Sequence, residues 1–325
     1  MSTASLVPET WDLDSEDARS TLLHTGRRRL LADSFQRLRV ADGFSHARSL
    51  AFMTTLVLVQ GLIAIVGLAS VLGGSRLSEV IVNAVQGTVP GPAGQVLTSA
   101  VQQAQDAGFS RRYLALILGL VGTLVTSTTA MGQIERALNR IYGIEQDRPT
   151  VQKYGFAFLL ALTAGALATA AFAGMAWGRG VGDSLHSDVV STLWGWGRWP
   201  AAVLLIIAAV SVLFRWCPRR RQPSLSWLAY GAGLSVGGWV VVTLGLAGLF
   251  RWSSSFGDTY GPLAGLVGLM LWAVLSAIAL LIGAAAAAQL EAVRAGAREP
   301  QDEEKVADSE PDAENQGLAQ PVGAR

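Results

Sequence analysis

Six long apolar stretches alternate with polar segments along the chain. A helix needs about 20 apolar residues to cross the roughly 30 Å of hydrocarbon in a bilayer, and each stretch is near or above that length. None shows the strict alternation of polar and apolar positions that is typical of a membrane strand, so we predict helices. A soluble bundle of six buried helices is the alternative, but it requires polar faces that these stretches lack. The predicted spans are Ser49–Leu72, Tyr113–Gly132, Phe156–Trp177, Pro200–Trp216, Leu225–Phe250 and Pro262–Ala288, with Arg215 as their only charged residue.

The predicted fold class is therefore all-α, an integral membrane bundle of six transmembrane helices over residues 49–293. The loop between spans 1 and 2 adds two apolar stripes at helical spacing, over residues 77–85 and 96–104, separated by Pro90-Gly91-Pro92. These stripes predict two short extracytoplasmic amphipathic helices. The two helices either cover the mouth of a cavity or rest on the bilayer, and we favour packing over gating.

The segments outside the spans differ from one another in composition. Residues 1–26 are polar, with an acidic cluster, and are expected to form a disordered cytoplasmic tail. Residues 27–48 form a basic segment in which Leu30, Leu31, Phe35 and Leu38 recur at helical spacing among arginines. This pattern indicates either an amphipathic juxtamembrane helix on anionic lipid or a plain topogenic charge cluster. Residues 294–325 are acidic, poor in apolar residues and expected to be disordered.

Basic residues are distributed unevenly between the polar segments. The N-terminal region, the 2–3 loop, the 4–5 loop together with the adjoining Arg215, and the C-terminal tail hold 7, 4, 4 and 4 Lys or Arg residues, whereas the other three loops hold 3, 2 and 1. Because Lys and Arg accumulate on the cytoplasmic side, 19 against 6 predicts that both termini are cytoplasmic. We expect a multi-pass protein of the bacterial plasma (inner) membrane with membrane lipids around it. The pattern leaves its oligomeric state unknown.

Composition supports the membrane class and narrows the chemistry. Hydrophobic residues make up 51% of the chain and charged residues 15%, and the mean hydropathy is +0.38. These values are too apolar for an ordinary soluble domain. The lone Cys217 excludes an internal disulfide, and His24, His46 and His186 lack the spacing of metal ligands. We predict no catalytic, cofactor-binding or metal-binding residue, no cofactor and no nucleic-acid partner.

Polar side chains inside the predicted spans are the candidates for an interior site. Gln60 lies in the first span, and Thr126, Ser127, Thr128 and Thr129 lie in the second. Their hydroxyls either line a polar cavity between the two helices or bond to carbonyls of their own helix. Small residues at every fourth position, Ala166, Ala170, Gly174 and Gly178 in the third span and Gly233 and Gly237 in the fifth, predict close helix packing.

A charged hairpin, ALNRIYGIEQDRP over residues 137–149, separates the second and third spans. Its ionic residues predict a network that fixes the turn, with Pro149 ending the connection. A second hypothesis is that Asn139, Arg140 and Arg148 contact an intracellular partner or gate a cavity. The pattern leaves both possibilities open.

The hairpin also carries a resemblance. Ala137-Leu138-Asn139-Arg140-Ile141-Tyr142, followed by Arg148-Pro149, is similar to the 2–3 hairpin of the YihY/BrkB family of bacterial inner-membrane proteins. Tyr260-Gly261-Pro262-Leu263-Ala264-Gly265, then Leu271-Trp272 and Leu280-Leu281-Ile282-Gly283-Ala284, resembles the last span of that family. The resemblance covers about residues 27–295.

The resemblance implies a role in envelope integrity or serum resistance, and some members are proposed to move lipids or other solutes. Many carry an old ribonuclease BN label, which we reject because the chain shows no His/Asp constellation suited to phosphodiester hydrolysis. Where the family places Glu and Asn in its last span, this chain has Ala285 and Ala287. The loss of a membrane-embedded carboxylate weakens a proton-coupled mechanism. Glu291 is interpreted as an interfacial charge beside Arg294.

Three hypotheses for function follow from these features. The first is a non-enzymatic membrane protein that supports the cell envelope through packing and contacts with an envelope or membrane protein partner. The second is a transporter or lipid translocase with a polar cavity between helices 1 and 2. The third, a membrane-embedded hydrolase, has the weakest support, since the spans offer no Ser/His pair or His cluster.

Overall fold

All the regular secondary structure in the part that the structure describes is helical. The computed structural model covers residues 4–10, 12–71, 89, 91–106, 109–184, 188–252, 263–297 and 299–300. Within these residues the helices are α1 (Ser15–Thr25), α2 (Arg27–Val40), α3 (Gly43–Val71), α4 (Gly91–Asp106), α5 (Phe109–Ile141), α6 (Thr150–Ser184), α7 (Asp188–Trp216), α8 (Leu225–Trp252) and α9 (Ala264–Arg294). The same residues contain no strand, and the predicted all-α class is confirmed.

Six of these helices are long and apolar enough to cross a membrane, as predicted. The candidate spans are Gly43–Ala64, Leu116–Ile141, Thr150–Ala168, Trp199–Trp216, Leu225–Trp252 and Ala264–Arg294. Each predicted stretch falls on one of them. The helices extend beyond the uncharged stretches at several polar ends, since the hydrogen-bond ladder of a helix continues where the side chains turn polar. Helix α5, for example, continues past Gly132 through Glu135, Arg136 and Arg140 to Ile141.

The bundle exposes large apolar side chains on its outer surface and packs small ones inside. On α5 the exposed residues recur at helical spacing and form one outward stripe: Leu114, Ile117, Leu118, Val121 and Val125. Helix α9 is the central element and packs against α8, α3, α4 and α2. Its inner face is largely alanine, and Ala284, Ala285 and Ala288 are fully buried. An outer surface this apolar is suited to lipid rather than to water.

Helices α8 and α9 approach closely at two glycines. A Cβ at Gly231 would collide with the Gly283 carbonyl oxygen and the Ala287 side chain, and a Cβ at Gly283 would collide with Ser235. The prediction that small residues at every fourth position pack closely is wrong at the residues described. Ala166, Ala170 and Gly174 are exposed on α6. A Cβ at either Gly233 or Gly237 would meet nothing within 4 Å. The packing around Gly178 lies outside the described part.

The predicted disorder over residues 1–26 is wrong for α1. Asp14 caps this helix by accepting hydrogen bonds from the backbone N–H groups of Glu16 and Asp17, and Asp17 completes a capping box. Arg294 donates to the Asp17 carboxylate at 2.9 Å, which ties α1 to the end of α9. The acidic residues that suggested a solvated tail are therefore a helix cap and an ion-pair partner.

Helix α2 ends earlier than the juxtamembrane segment predicted for residues 27–48. It stops at Val40, and a turn containing Asp42 at a positive φ of 53° precedes α3. One face of α2, including Leu30, Ser34 and Leu38, is buried, and the helix packs on α9. Leu31 and Phe35 are exposed on the opposite face, so α2 is an amphipathic helix docked on the bundle.

One of the two loop helices predicted between spans 1 and 2 lies in the described part. Helix α4 packs against α9 and α3, with Leu97 buried in a cluster that includes Leu62, Leu269 and Trp272. This packing agrees with the interpretation favoured over gating. The stripe predicted over residues 77–85 lies outside the described residues, as does the predicted acidic tail beyond Pro300.

Candidate functional site: a buried polar network at one end of the bundle

The two polar groups predicted to share an interior site do contact each other. Thr126 donates its hydroxyl hydrogen bond to Gln60 Oε1 at 2.8 Å across α3 and α5. Gly122 lies beside this pair, and its missing side chain leaves room for the Gln60 amide. A polar pair shared by two helices in this way stabilises their packing.

The other hydroxyls of the run are bonded within α5. Thr128 donates to the Leu124 carbonyl at 2.7 Å and Thr129 to the Val125 carbonyl at 2.9 Å, the back-bonding pattern of helical Thr. Ser127 is half-buried on the same helix. The structure brings Gln60 and Thr126 together but directs Thr128 and Thr129 to their own backbone.

Ion pairs do fix the charged hairpin, as one of the two interpretations predicts. Asp147 is 3.2 Å from Arg136 Nε and 3.1 Å from Lys153 Nζ, and Arg148 is 3.2 Å from Glu135. Burial alone would raise the pKa of the Asp147 carboxyl. Hydrogen bonds from Asn139 and Lys153, together with the charge of Lys153, outweigh burial and lower the pKa below its ordinary value.

Arg148 joins the hairpin to the segment after α7. Its guanidinium donates to the carbonyl oxygens of Cys217 at 2.7 Å, Pro218 at 3.1 Å and Trp216 at 3.3 Å. It also lies over the Phe156 ring at 4.6 Å from the ring centre. These carbonyls follow the end of α7, where the helix leaves acceptors unsatisfied, so Arg148 caps that end.

Asn139 and Arg140 are also engaged within the chain. Asn139 is fully buried, donates to Asp147 at 3.0 Å and accepts from the backbone N–H of Arg219 at 2.8 Å. Arg140 donates to the carbonyls of Ile144 and Glu145. The proposed contact with an intracellular partner requires an exposed Asn139 side chain, and the structure buries it.

A second set of polar groups, which the sequence did not indicate, is buried beside the hairpin. We define the buried polar network as Arg37, Tyr142, Arg220, Gln289 and Glu291. Arg37 of α2 is fully buried and donates from Nε to Gln289 Oε1 on α9 at 2.7 Å. Its Nη1 donates to the carbonyls of Ser5 and Ile141, at 3.0 and 3.1 Å. One guanidinium thereby links α2, α9, the end of α5 and the N-terminal segment.

Glu291 is the acidic centre of the buried polar network. It is fully buried on α9, and its Oε1 accepts from Arg220 at 2.6 Å and from the Thr10 hydroxyl at 2.6 Å. Arg220 in turn lies over the Tyr142 ring, 4.8 Å from its centre. The interpretation of Glu291 as an interfacial charge beside Arg294 is wrong, because Glu291 pairs with Arg220 and Arg294 pairs with Asp17.

Residues 4–10, which we call the N-terminal strap, close over the buried polar network. The strap donates from Ala4 to the Arg140 carbonyl and from Val7 to the Tyr142 carbonyl, both at 3.1 Å. Gly143, at a φ of 81°, permits this approach, because a Cβ there would collide with the backbone of Ser5 and Leu6. The strap therefore packs directly against the hairpin turn at Gly143.

Burial changes the ionisation of two groups outside the spans. Burial first, and the nearby Glu291 carboxylate second, raise the pKa of the Tyr142 phenol above its ordinary range. Burial and then the Glu135 carboxylate likewise raise the pKa of the Cys217 thiol. Both groups therefore stay protonated at neutral pH.

The sequence signals for the buried polar network were weak. Arg37 and Arg220 lie in arginine-rich stretches, which the sequence indicates only as signals of the cytoplasmic side. Glu291 follows an uncharged span, where a charge is expected at the membrane interface. Spacing along α9 offered one signal, because Gln289 and Glu291 interrupt an otherwise apolar helix end. In the described part, no group of three His, Cys, Asp or Glu side chains could hold a metal ion.

These features define a class, the multi-pass helical membrane protein with a charged network at one end of its bundle. The chain belongs to the BrkB family, since the family model described as Virulence factor BrkB matches residues 34–308. This match confirms the resemblance noted in the hairpin and in the last span.

The curated relatives are similar along most of this chain. It is 24% identical over 258 residues to the Putative ribonuclease-like protein YfkH of Bacillus subtilis (strain 168), covering 78% of this chain and 92% of that protein. It is 29% identical over 255 residues to a UPF0761 membrane protein of Aromatoleum aromaticum, covering 75% and 59%. It is 25% identical over 256 residues to a UPF0761 membrane protein of Halorhodospira halophila, covering 77% and 54%. The chain thus spans little more than half of the two UPF0761 proteins. No solved structure matches it.

Proposed function

We propose that this protein is a non-enzymatic scaffold of the bacterial inner membrane that supports envelope integrity. The proposal rests on one observation: polar side chains at the hairpin end of the bundle hydrogen-bond to other segments of the same chain. Arg148, Asn139 and Arg37 each join two or more segments of the chain through several hydrogen bonds. Groups committed to such contacts stabilise a fixed arrangement of helices.

The same use of polar groups argues against the nuclease suggested by the name of the Bacillus subtilis relative. Phosphodiester hydrolysis requires carboxylates that can hold a metal or transfer a proton. Among the described residues the two buried carboxylates, Glu135 and Glu291, are instead paired with Arg148 and Arg220. We propose that the chain performs no hydrolysis and that its immediate partners are membrane lipids and a membrane or envelope protein.

The orientation belongs to the same proposal. Helix α2, the hairpin and the segment after α7 meet at the same end of the bundle as the N-terminal strap, and each of these three regions holds two or more arginines. Under the positive-inside rule that end is cytoplasmic, as are both termini.

A complementation experiment tests the scaffold. The gene is deleted in its host, and variants are compared for survival in a membrane-permeabilising detergent at equal protein level. Thr128→Val removes a hydroxyl that bonds only within α5 in the described contacts, so the scaffold keeps its function. Arg148→Gln removes the clamp on the end of α7 and lowers survival.

Two results contradict the proposal. If Thr128→Val abolishes survival at an unchanged protein level, the hydroxyl run serves a chemical or transport role. If the purified protein cleaves labelled RNA with Mg²⁺ present, and Arg148→Gln cleaves it equally well, the protein is an enzyme. Thr126→Val is the matched control for Thr128→Val, because it removes the interhelical bond to Gln60 rather than a bond within one helix.

A further inference from the structure

Two arginines of the buried polar network hold backbone carbonyls of the N-terminal strap. Arg37 donates to the Ser5 carbonyl at 3.0 Å and to the Ser5 hydroxyl at 3.2 Å. Arg220 donates to the Val7 and Pro8 carbonyls at 3.3 and 3.1 Å. A guanidinium presents its N–H donors in a planar fork that matches the oxygens of a phosphate, and a charged acceptor binds it more strongly than a neutral carbonyl does. The strap therefore occupies donors that suit an oxyanion.

The position of these donors corresponds to the headgroup layer of a membrane. The buried polar network lies where three spans end or begin, since Tyr142 follows Ile141, Arg220 lies between Trp216 and Leu225, and Glu291 is in the last turn of α9. Span ends of this kind meet the polar layer of the bilayer, where lipid phosphates are concentrated.

The charge of the site fits one phosphate diester. The charged members of the buried polar network are Arg37, Arg220 and Glu291. Together they carry one net positive charge, which equals in magnitude the single negative charge of a phosphodiester. The acceptors that the strap offers to the two arginines are uncharged, since its one charged residue, Glu9, is exposed and accepts from the Arg221 backbone N–H. Replacing these uncharged acceptors by such an anion would balance the charge of the site.

The strap lies outside the part of the chain that the family shares. The family match covers residues 34–308, which include Arg37, Arg220 and Glu291, whereas the strap precedes it. The donors thus lie in the matched region, and the carbonyls that occupy them come from a segment that precedes it.

We propose that Arg37 and Arg220 form a binding site for a phosphate oxyanion, carried by a lipid headgroup or by free phosphate, and that the N-terminal strap occupies this site as an internal competitor. Binding of the anion releases the strap, because both use the same N–H donors. This site is independent of the scaffold role and of the side of the membrane on which it lies.

The experiment measures strap release in the full-length protein. In a Cys217→Ser background, Ser5→Cys places a thiol under the strap, where Ser5 is buried, and Leu6→Cys places one at a neighbour that is 62% exposed. Each protein is reconstituted in nanodiscs and labelled with N-ethylmaleimide, which is uncharged. The labelling rate of Ser5→Cys divided by that of Leu6→Cys cancels effects of surface potential on the two adjacent thiols.

Three lipid conditions identify the source of the anion. The discs contain phosphatidylcholine alone, phosphatidylcholine with roughly one third phosphatidylglycerol, or phosphatidylcholine with inorganic phosphate added at constant ionic strength. We expect the ratio to rise at least about threefold in one of the last two conditions. A rise with phosphatidylglycerol identifies a headgroup, and a rise with inorganic phosphate identifies the free ion. An unchanged ratio in both conditions overturns the proposal.

Substitutions of Arg220 separate this site from a general effect of anionic lipid. With Arg220→Gln we expect a high labelling ratio in phosphatidylcholine alone, because the strap has lost its hydrogen bonds to Arg220. We expect no further rise in this ratio when anions are added. If Arg220→Gln does not fold, Arg220→Lys takes its place: it keeps a positive charge beside Glu291 but loses the planar fork, so we expect a response to anions that is smaller than that of the wild type. A response to anions as large as that of the wild type in the folded variant overturns the proposal.

Discussion

Individual charged residues in this bundle are buried at positions where hydropathy predicts a surface. Arg37, Arg220 and Glu291 are stable there because each has several partners, and removal of one partner would leave a buried charge uncompensated. A hydropathy window reports average polarity and cannot identify which arginine of a cluster turns inward. For that reason the charged residues were predicted only as topological signals.

Cys217 provides a test at this scale. Its thiol is fully buried and its pKa is raised, so the reactive thiolate is scarce in the folded protein. We expect the native protein in mild detergent to resist N-ethylmaleimide at neutral pH and to be labelled fully after denaturation in SDS. Because the chain has a single cysteine, mass spectrometry gives an unambiguous readout. Rapid labelling of the native protein would contradict the buried position.

Gly143 tests the contact between the hairpin and the N-terminal strap. Gly143→Ala adds both the strain of a left-handed backbone, about 1–2 kcal/mol, and a collision with the strap. Gly296→Ala is the matched control, because Gly296 has nearly the same φ, 80°, and a Cβ there would meet nothing within 4 Å. We expect Gly143→Ala to lower the thermal unfolding temperature more than Gly296→Ala does. Equal losses would show that the strap does not pack against Gly143.

At the scale of the elements, the sequence predicted the helices better than their contacts. Uncharged stretches of about 20 residues identify spans because the backbone in lipid must satisfy its own hydrogen bonds. Which faces meet depends on residues far apart in the chain. The ladder at Gly233 and Gly237 had the expected spacing, but the contact uses Gly231 and Gly283. The Gln60–Thr126 contact was predictable, since Gln60 and the hydroxyl run that contains Thr126 are polar groups within consecutive apolar spans.

The contact between α8 and α9 gives a paired prediction. Gly231→Ala places a methyl group against the backbone of Gly283, so the two helices must separate and the bundle loses stability. Gly233→Ala on the same helix adds a methyl group in open space and leaves stability nearly unchanged. Thermal unfolding in detergent, followed by loss of monodisperse protein, measures both. A Gly233→Ala variant as unstable as Gly231→Ala would mean that the helices meet on another face.

For the whole molecule, the meeting of distant segments at one end constrains topology. The Ser5 N–H donates to the Pro300 carbonyl at 2.9 Å, so the described parts near both ends of the chain lie on the same side of the membrane. A green fluorescent protein fused to either end is expected to fluoresce, and alkaline phosphatase fused after Arg325 is expected to be inactive. Fluorescence from one end and phosphatase activity at the other would contradict the arrangement.

The N-terminal strap also has a consequence for the order of biosynthesis. Ribosomes make residues 4–10 before any of the spans, yet two of the residues that they bond, Glu291 and Pro300, emerge only when the last span is nearly complete. The strap must therefore wait for the last span before all of its contacts can form. A docked strap therefore marks a protein in which all six spans have been made and inserted.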